Sequence, residues 1–442
     1  MPPQVALLLT SCFVILVTYF EYKHNKDISK ATWIITIWIL YSASKGLGYY
    51  FNIKSTIESG SLPDRIFLLS LGIISILFLL KRKFRFFYFL RKSFLLTVII
   101  SYMLISSIWS QFPSISLRRW GREAIVIIIG SLLISEKYPV KALISSFRRV
   151  VYIAIPFSLM LIKYYPHLGR SYTIHSGELM WIGIAGQKNE LALICAFSFI
   201  FLFWFLLESI FKREYEYPRL LLMTDISMLA LSIYLFMGPN RSFNYSANAF
   251  FTLIFGFAFI LFFKLFMNHK HTVRNLILCL ATFIILIGMI SFFTGNIPVK
   301  ELPELLGRDT TLTGRIYIWS KLVPYAQKKL LLGYGFGGFW TTSLRTQIAV
   351  TAHNGYLDTI LNLGILGLML FLTLLMTLIS KCSKLISDFW DIKTLFLAMV
   401  LMLLVHNIAE SSLGYFEAFP SSLIILFYCI ILEQETAKID NL

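Results

Sequence analysis

Apolar runs of roughly 17–22 residues dominate the chain, the length at which an α-helix crosses about 30 Å of hydrocarbon. They centre within 4–20, 31–50, 66–80, 93–110, 123–135, 150–163, 190–210, 220–238, 247–267, 276–293, 356–380, 392–408 and 418–432, with 123–135 and 418–432 the weakest. The runs are too long and too uniformly apolar for the period-2 alternation of a transmembrane strand. Backbone amides in lipid must be satisfied within their own segment, so helices are predicted. The predicted fold is therefore all-α: a polytopic membrane protein with about 12–13 transmembrane helices, forming one integral membrane domain over residues 1–442.

Polar stretches between the runs set the orientation, because Lys and Arg collect in short cytoplasmic loops. The segment KRKFRFFYFLRK carries Lys81, Arg82, Lys83, Arg85, Arg91 and Lys92 and anchors the inner side. Basic loops near 137–149, 211–219, 264–274 and 381–393 then also lie inside, while 51–65, 111–122, 164–189, 239–246, 294–355 and 409–417 face out. This count puts the N-terminus outside and the C-terminus inside. The first run lacks a basic leader region and a small-residue cleavage site, and is expected to be a retained span.

The outward loop 294–355 is far longer than the others, and loops of that length are usually functional. It is rich in aromatics (Tyr317, Trp319, Tyr325, Tyr334, Phe336, Phe339, Trp340), and RIYIWSKLVPYAQKKLLL has helix-like apolar spacing, which predicts a folded helical cap. Pro324 marks an expected kink, and Gly333, Gly335, Gly337 and Gly338 a tight reversal close to the membrane.

Composition agrees with the pattern and excludes a soluble domain: 57% of residues are hydrophobic and 14% charged, with a mean hydropathy of +0.73. The net charge of +17 follows from membrane orientation and, without a soluble basic module, gives no reason to expect a nucleic-acid partner. The five cysteines (Cys12, Cys195, Cys279, Cys382, Cys429) lie in or beside apolar runs without disulfide or zinc spacing.

Charge changes the picture in one respect. Arg118, Arg119, Arg122, Arg170, Lys188, Arg241, Arg308 and Arg315 all fall in outward loops, where orientation alone would not put them. Arginine forms paired hydrogen bonds to phosphate oxygens, so an anionic ligand such as a polyprenyl diphosphate headgroup would account for the set. Pairing with lipid phosphates, or with Glu178, Glu190, Glu301, Glu304 and Asp309, is the plainer alternative. Nucleotide-activated donors are not available outside the cytoplasm, so an activated group there would arrive on a lipid and leave a diphosphate. No outward D-x-D pair is present to hold a metal, which leaves fixed cations to stabilise the leaving group and a general base to deprotonate an acceptor. His353, where the long loop re-enters the membrane, is the candidate base, with Tyr356 and Leu357 three and four residues on along the same face. A histidine there also serves as a cap or an interfacial residue. Trp319, Tyr334, Trp340 and Tyr356 are candidate sugar-binding surfaces, Trp319 and Tyr356 first among them.

LGRDTTLTGRIYIWSKLVPYAQKKLLLGYGFGGFW at 306–340, followed by AHNGYLDTILNLGILGL at 352–368, resembles the O-antigen ligase and exopolysaccharide polymerase superfamily. WSQFPSISLRRWGREA at 109–124, GQKNELA at 186–192, GPNRSFNYSA at 238–247 and HNIAESSL at 406–413 add to the likeness, whose ligase-like region spans about 180–375. The resemblance implies a metal-independent membrane glycosyltransferase of the C type without a cofactor, in the bacterial inner membrane. A large periplasmic loop would cover a lateral opening for the lipid donor. It implies that His353 activates the acceptor hydroxyl and that Arg315 and Arg241 hold the donor diphosphate, with Lys188, Arg118, Arg119 and Arg308 as further donor contacts. Asn354, Tyr356, Trp319 and Glu410 would support the site, Glu410 by orienting His353 or a bound sugar. GPNRSFNYSA departs from the serine-rich form expected around Arg241.

The implied partners are a polyprenyl-diphosphate-linked oligosaccharide donor, a glycan or lipid A-core acceptor, membrane lipids and other polysaccharide-assembly proteins. GRDTTLTGR is closer to the polymerase form than to the ligase form. A polysaccharide or lipid-linked oligosaccharide flippase is the alternative; it would place ionisable residues at the membrane midplane in two related halves. Here Lys45, Lys264 and His406 are the main ionisable residues near span interiors, and no repeat joins the halves.

Overall fold

The computed structural model describes the chain except residues 54–59, 174–176, 212–217, 241–242, 267–269, 295–313 and 440–442. It is an all-α polytopic membrane protein. Among the described residues, eight helices are long and apolar enough to span a membrane: Pro3–His24, Leu62–Lys81, Pro139–Tyr164, Lys188–Phe211, Arg219–Phe236, Ala247–Phe266, Thr272–Ser291 and Gly355–Leu385. Phe86–Lys92 and Phe94–Trp109, bent by 97° at Ser93, make a ninth if taken together.

The difference from the expected 12–13 has local causes. Thr32–Ser42 and Ile392–His406 are apolar but hold only 11 and 15 residues. Pro113–Ile134 is long enough, yet carries Arg118, Arg119, Arg122 and Glu123 in its first half. Ser421–Ile439 runs into a charged C-terminal end. The described residues also contain one short antiparallel hairpin, Arg170–Tyr172 with Leu179–Trp181, which the helical pattern did not anticipate.

Two compact units make up the chain. The first comprises Met1–Lys54 and Leu132–Phe257. Here Pro139–Tyr164 packs against Pro3–His24 and Thr32–Ser42, and a fully buried Arg149 pairs with Glu21, which also accepts from Ser145. Arg148 faces Asp225 at 3.6 Å, and the same carboxylate takes the Tyr152 hydroxyl at 2.5 Å. Buried charges persist in such surroundings only when paired and hydrogen-bonded. Lys45 sits after Thr32–Ser42, outside any span, and donates to the carbonyls of Leu168 and Gly183.

The second unit comprises Ser55–Ser131 and Ala258–Leu442. Its organising element is Gly355–Leu385, a 31-residue helix interrupted at Gly364, whose φ of 68° and ψ of −173° leave the helical region. The interruption frees backbone groups that segment 330–334 takes up: Ile365 N–H donates to Leu330 O at 2.7 Å and Tyr334 N–H to Leu361 O at 2.9 Å. The Tyr102 hydroxyl donates to Leu363 O at 2.7 Å. Two backbones meet this closely because a Cβ at Gly364 would lie 2.1 Å from Leu331 O, and one at Gly333 2.5 Å from Gly364 N. The long loop thus contains a helix, Arg315–Lys328 with Pro324 inside it, and a glycine-built reversal lying against the broken helix.

Candidate active site

Asn354 starts Gly355–Leu385 as its N-cap: the side-chain oxygen accepts from Leu357 N–H at 2.9 Å. Its amide donates to Ile408 O at 3.0 Å and Gly288 O at 3.2 Å, binding three chain segments together. The preceding residue, His353, has φ +47°, a conformation that a residue with a side chain adopts only where its surroundings impose it. Opposite, Ile392–His406 ends at Asn407, whose side-chain oxygen accepts from Ser412 N–H at 2.9 Å and Leu413 N–H at 2.7 Å. That turn presents Glu410.

Glu410 joins the two leading candidates. Its Oε2 lies 2.9 Å from His353 Nδ1, and its Oε1 accepts from Arg315 at 2.8 Å. Burial alone would push the Glu410 carboxyl up. The His353 hydrogen bond and the neighbouring Arg315 guanidinium, the largest opposing causes, outweigh burial and hold it at about 2. A carboxylate in that state only accepts, so Nδ1 carries a proton and donates it. In the tautomer that this hydrogen bond selects, the lone pair is on Nε2. The His353 side chain is 26% exposed and that of Glu410 6%, so the imidazole is reachable while the carboxylate beside it is nearly buried.

The aromatic candidates are positioned otherwise than expected. Trp319 and Tyr356 are fully buried and offer no ring face to a sugar. Trp319 Nε1 donates to Ala352 O at 2.9 Å, next to His353. The Tyr356 hydroxyl donates to Leu404 O at 3.0 Å. Both brace the walls of the site. Helical packing claims the ring faces, which a stripe of aromatics in a sequence does not reveal.

In the same unit lies a second group of charges. Arg119 donates to the backbone carbonyl of Gly337 and, among the described residues, makes no ion pair. Arg122 pairs with Glu417 at 2.6 Å, and Glu123 accepts from Glu417 N–H at 3.0 Å. Burial pushes the Glu417 carboxyl up, opposed by Arg122 and Arg119. Burial likewise raises the Tyr415 phenol, whose oxygen accepts from Asn362 at 2.9 Å. Arg345 donates to Val350 O at 3.0 Å and lies close enough to Arg119 for the two charges to oppose each other.

Arg315, His353, Asn354 and Glu410 therefore come together, with Trp319 and Tyr356 behind them and Arg119 in the same unit. Arg118 is exposed and donates to Ser114 O of its own helix at 3.2 Å. Lys188 belongs to the other unit, 5.3 Å from the Tyr245 ring centre. Arg241 and Arg308 lie outside the described residues. Sequence reasoning missed Asp358, Ser411, Tyr415 and Arg345; a carboxylate in the first turn of an otherwise apolar helix was the available signal for Asp358.

Residues 243–372 match the O-antigen ligase family. The chain thus carries a segment similar to that family. His353 and Arg315 fall within it, whereas Glu410 and Arg119 fall outside. The chain is also similar to the exopolysaccharide production protein ExoQ of Rhizobium meliloti (strain 1021), 25% identical over 95 residues, or 19% of this chain and 22% of that protein. The match thus spans about a fifth of that relative's length. No solved structure matches.

Proposed function

We propose that the protein is a membrane glycosyltransferase of the bacterial inner membrane. It would move a glycan from a polyprenyl-diphosphate donor to a sugar hydroxyl on the periplasmic side. The observation that carries this reading is the Glu410 carboxylate held between His353 Nδ1 at 2.9 Å and Arg315 at 2.8 Å. His353 Nε2 takes the acceptor proton as the acceptor oxygen attacks the anomeric carbon. The bond from that carbon to the diphosphate oxygen breaks, and the leaving group departs as a lipid-linked anion. Fixed guanidinium groups meet that charge, which is commonly the largest catalytic contribution. Arg315 is one; Arg119, with no ion pair among the described residues, is a second in this unit. Polymerisation is favoured over ligation, on the GRDTTLTGR form and on similarity to a protein named for exopolysaccharide production.

The test is purified protein in vesicles with a polyprenyl-diphosphate-linked oligosaccharide, following donor consumption and new glycosidic bonds. The wild type forms bonds and His353→Ala does not. Bond formation at the wild-type rate by His353→Ala would remove the base from the scheme, and glycan passage without bond formation would favour a flippase.

A further inference from the structure

The base and its carboxylate come from chain segments 57 residues apart, and something must hold them in register. Asp358, in the first turn of Gly355–Leu385, is fully buried and touches both segments as well as the long loop. Its Oδ1 accepts the Trp340 indole N–H at 2.7 Å, and its Oδ2 accepts Ala352 N–H at 3.2 Å. The Ser411 hydroxyl also donates to it. Ala352 immediately precedes His353, and Ser411 immediately follows Glu410.

Ser411 completes a relay. Its oxygen accepts Asn354 N–H at 3.2 Å while its proton goes to Asp358. The left-handed backbone of His353 is thereby gripped on both sides. Ala352 is fixed through its N–H by Asp358 and through its carbonyl by Trp319. Asn354 is fixed through its N–H by Ser411 and through its side chain by Ile408 O. Without these contacts the strain at φ +47° would relax by turning the imidazole away from Glu410.

We propose that Asp358, acting through Ser411, is a positioning residue that aligns His353 with Glu410 without touching substrate. The inference rests on the general-base reading above. A carboxylate suits the task because it accepts from three donors at once. An amide has a single acceptor oxygen and would turn its own N–H against one of them. Misplacing reacting groups by about 1 Å costs on the order of 100-fold in rate.

The test measures kcat, KM for the lipid-linked donor and the pH–rate profile for Asp358→Asn, Ser411→Ala and Ser411→Thr, with His353→Ala alongside. Asp358→Asn should lose about 100-fold in kcat and Ser411→Ala about 10-fold, with donor KM within about twofold and the pH midpoint displaced in both. Ser411→Thr, which keeps the hydroxyl, should retain most of the activity and the wild-type midpoint. Should Asp358→Asn not be recovered folded, the serine pair decides. An unchanged kcat and pH profile in Ser411→Ala, or a loss carried wholly by KM, overturns the positioning role. If His353→Ala is inactive in that same experiment, only this inference fails; if His353→Ala is fully active, the base reading fails instead.

Discussion

Glu410→Gln is the most informative single change, because it removes one charge and almost no volume from the point where His353 and Arg315 meet. A carboxamide oxygen serves only one of the two donors. If it stays with Arg315, its N–H₂ faces His353 Nδ1 and selects the imidazole tautomer whose lone pair points inward, leaving Nε2 protonated toward the acceptor. General-base catalysis contributes roughly 10²–10⁴-fold, and the variant should lose turnover on that scale. The stability effect follows from the same electrostatics. The carboxyl sits at about 2 in the folded protein against an ordinary 4.5, and at about 1.4 kcal/mol per pH unit its ionised form contributes about 3 kcal/mol. A value depressed by folding gives stability that is fully present above pH about 4.5 and fades as the pH falls to about 2. The assay is melting of detergent-solubilised wild type and Glu410→Gln from pH 7 downward, paired with turnover in vesicles. The stability gap should be constant above pH about 4.5 and narrow toward pH about 2. A gap independent of pH, or a variant turning over within twofold of wild type, would refute the reasoning.

Arg315→Lys keeps the charge but loses the planar fork, and should reduce turnover at least about 10-fold, read as bond formation per folded protein. Turnover should persist in EDTA if guanidinium groups carry the leaving-group charge; strict dependence on a divalent ion would contradict that scheme. Gly364→Ala places a Cβ 2.1 Å from Leu331 O at a φ of 68°, and should destabilise the protein by more than about 3 kcal/mol, measured by thermal melting.

Much of the fold was legible because the solvent dictates it: a helix in lipid must be apolar over its whole length, and such runs stand out in the sequence. The glycines at 333, 335 and 337 announced their reversal because each adopts positive φ. Less legible was where an apolar run stops being one helix. The run at 31–50 ends its helix at Ser42 before a Ser/Gly-rich stretch, and the run near 93–110 meets its neighbour at a 97° bend. His353 and Arg315 could be singled out from local sequence, since each sits in a compact motif. Their shared carboxylate could be suggested only through resemblance, because the approach of Glu410 to His353 spans 57 residues and depends on how the turn after His406 is built. Ser411 was invisible for the same reason, and Asp358 offered only the signal of a carboxylate in the first turn of an apolar helix. Trp319 and Tyr356 drew attention as aromatics, but whether a ring faces a ligand or a helix is decided by packing, and here packing took both.

The central claim is that His353 and Glu410 work as one unit, and a double-mutant cycle on turnover tests it most directly. His353→Ala combined with Glu410→Gln should be no slower than His353→Ala alone, since a carboxylate with no imidazole to orient has nothing left to contribute. If the two losses multiply in the double variant, the residues act independently and the account is contradicted.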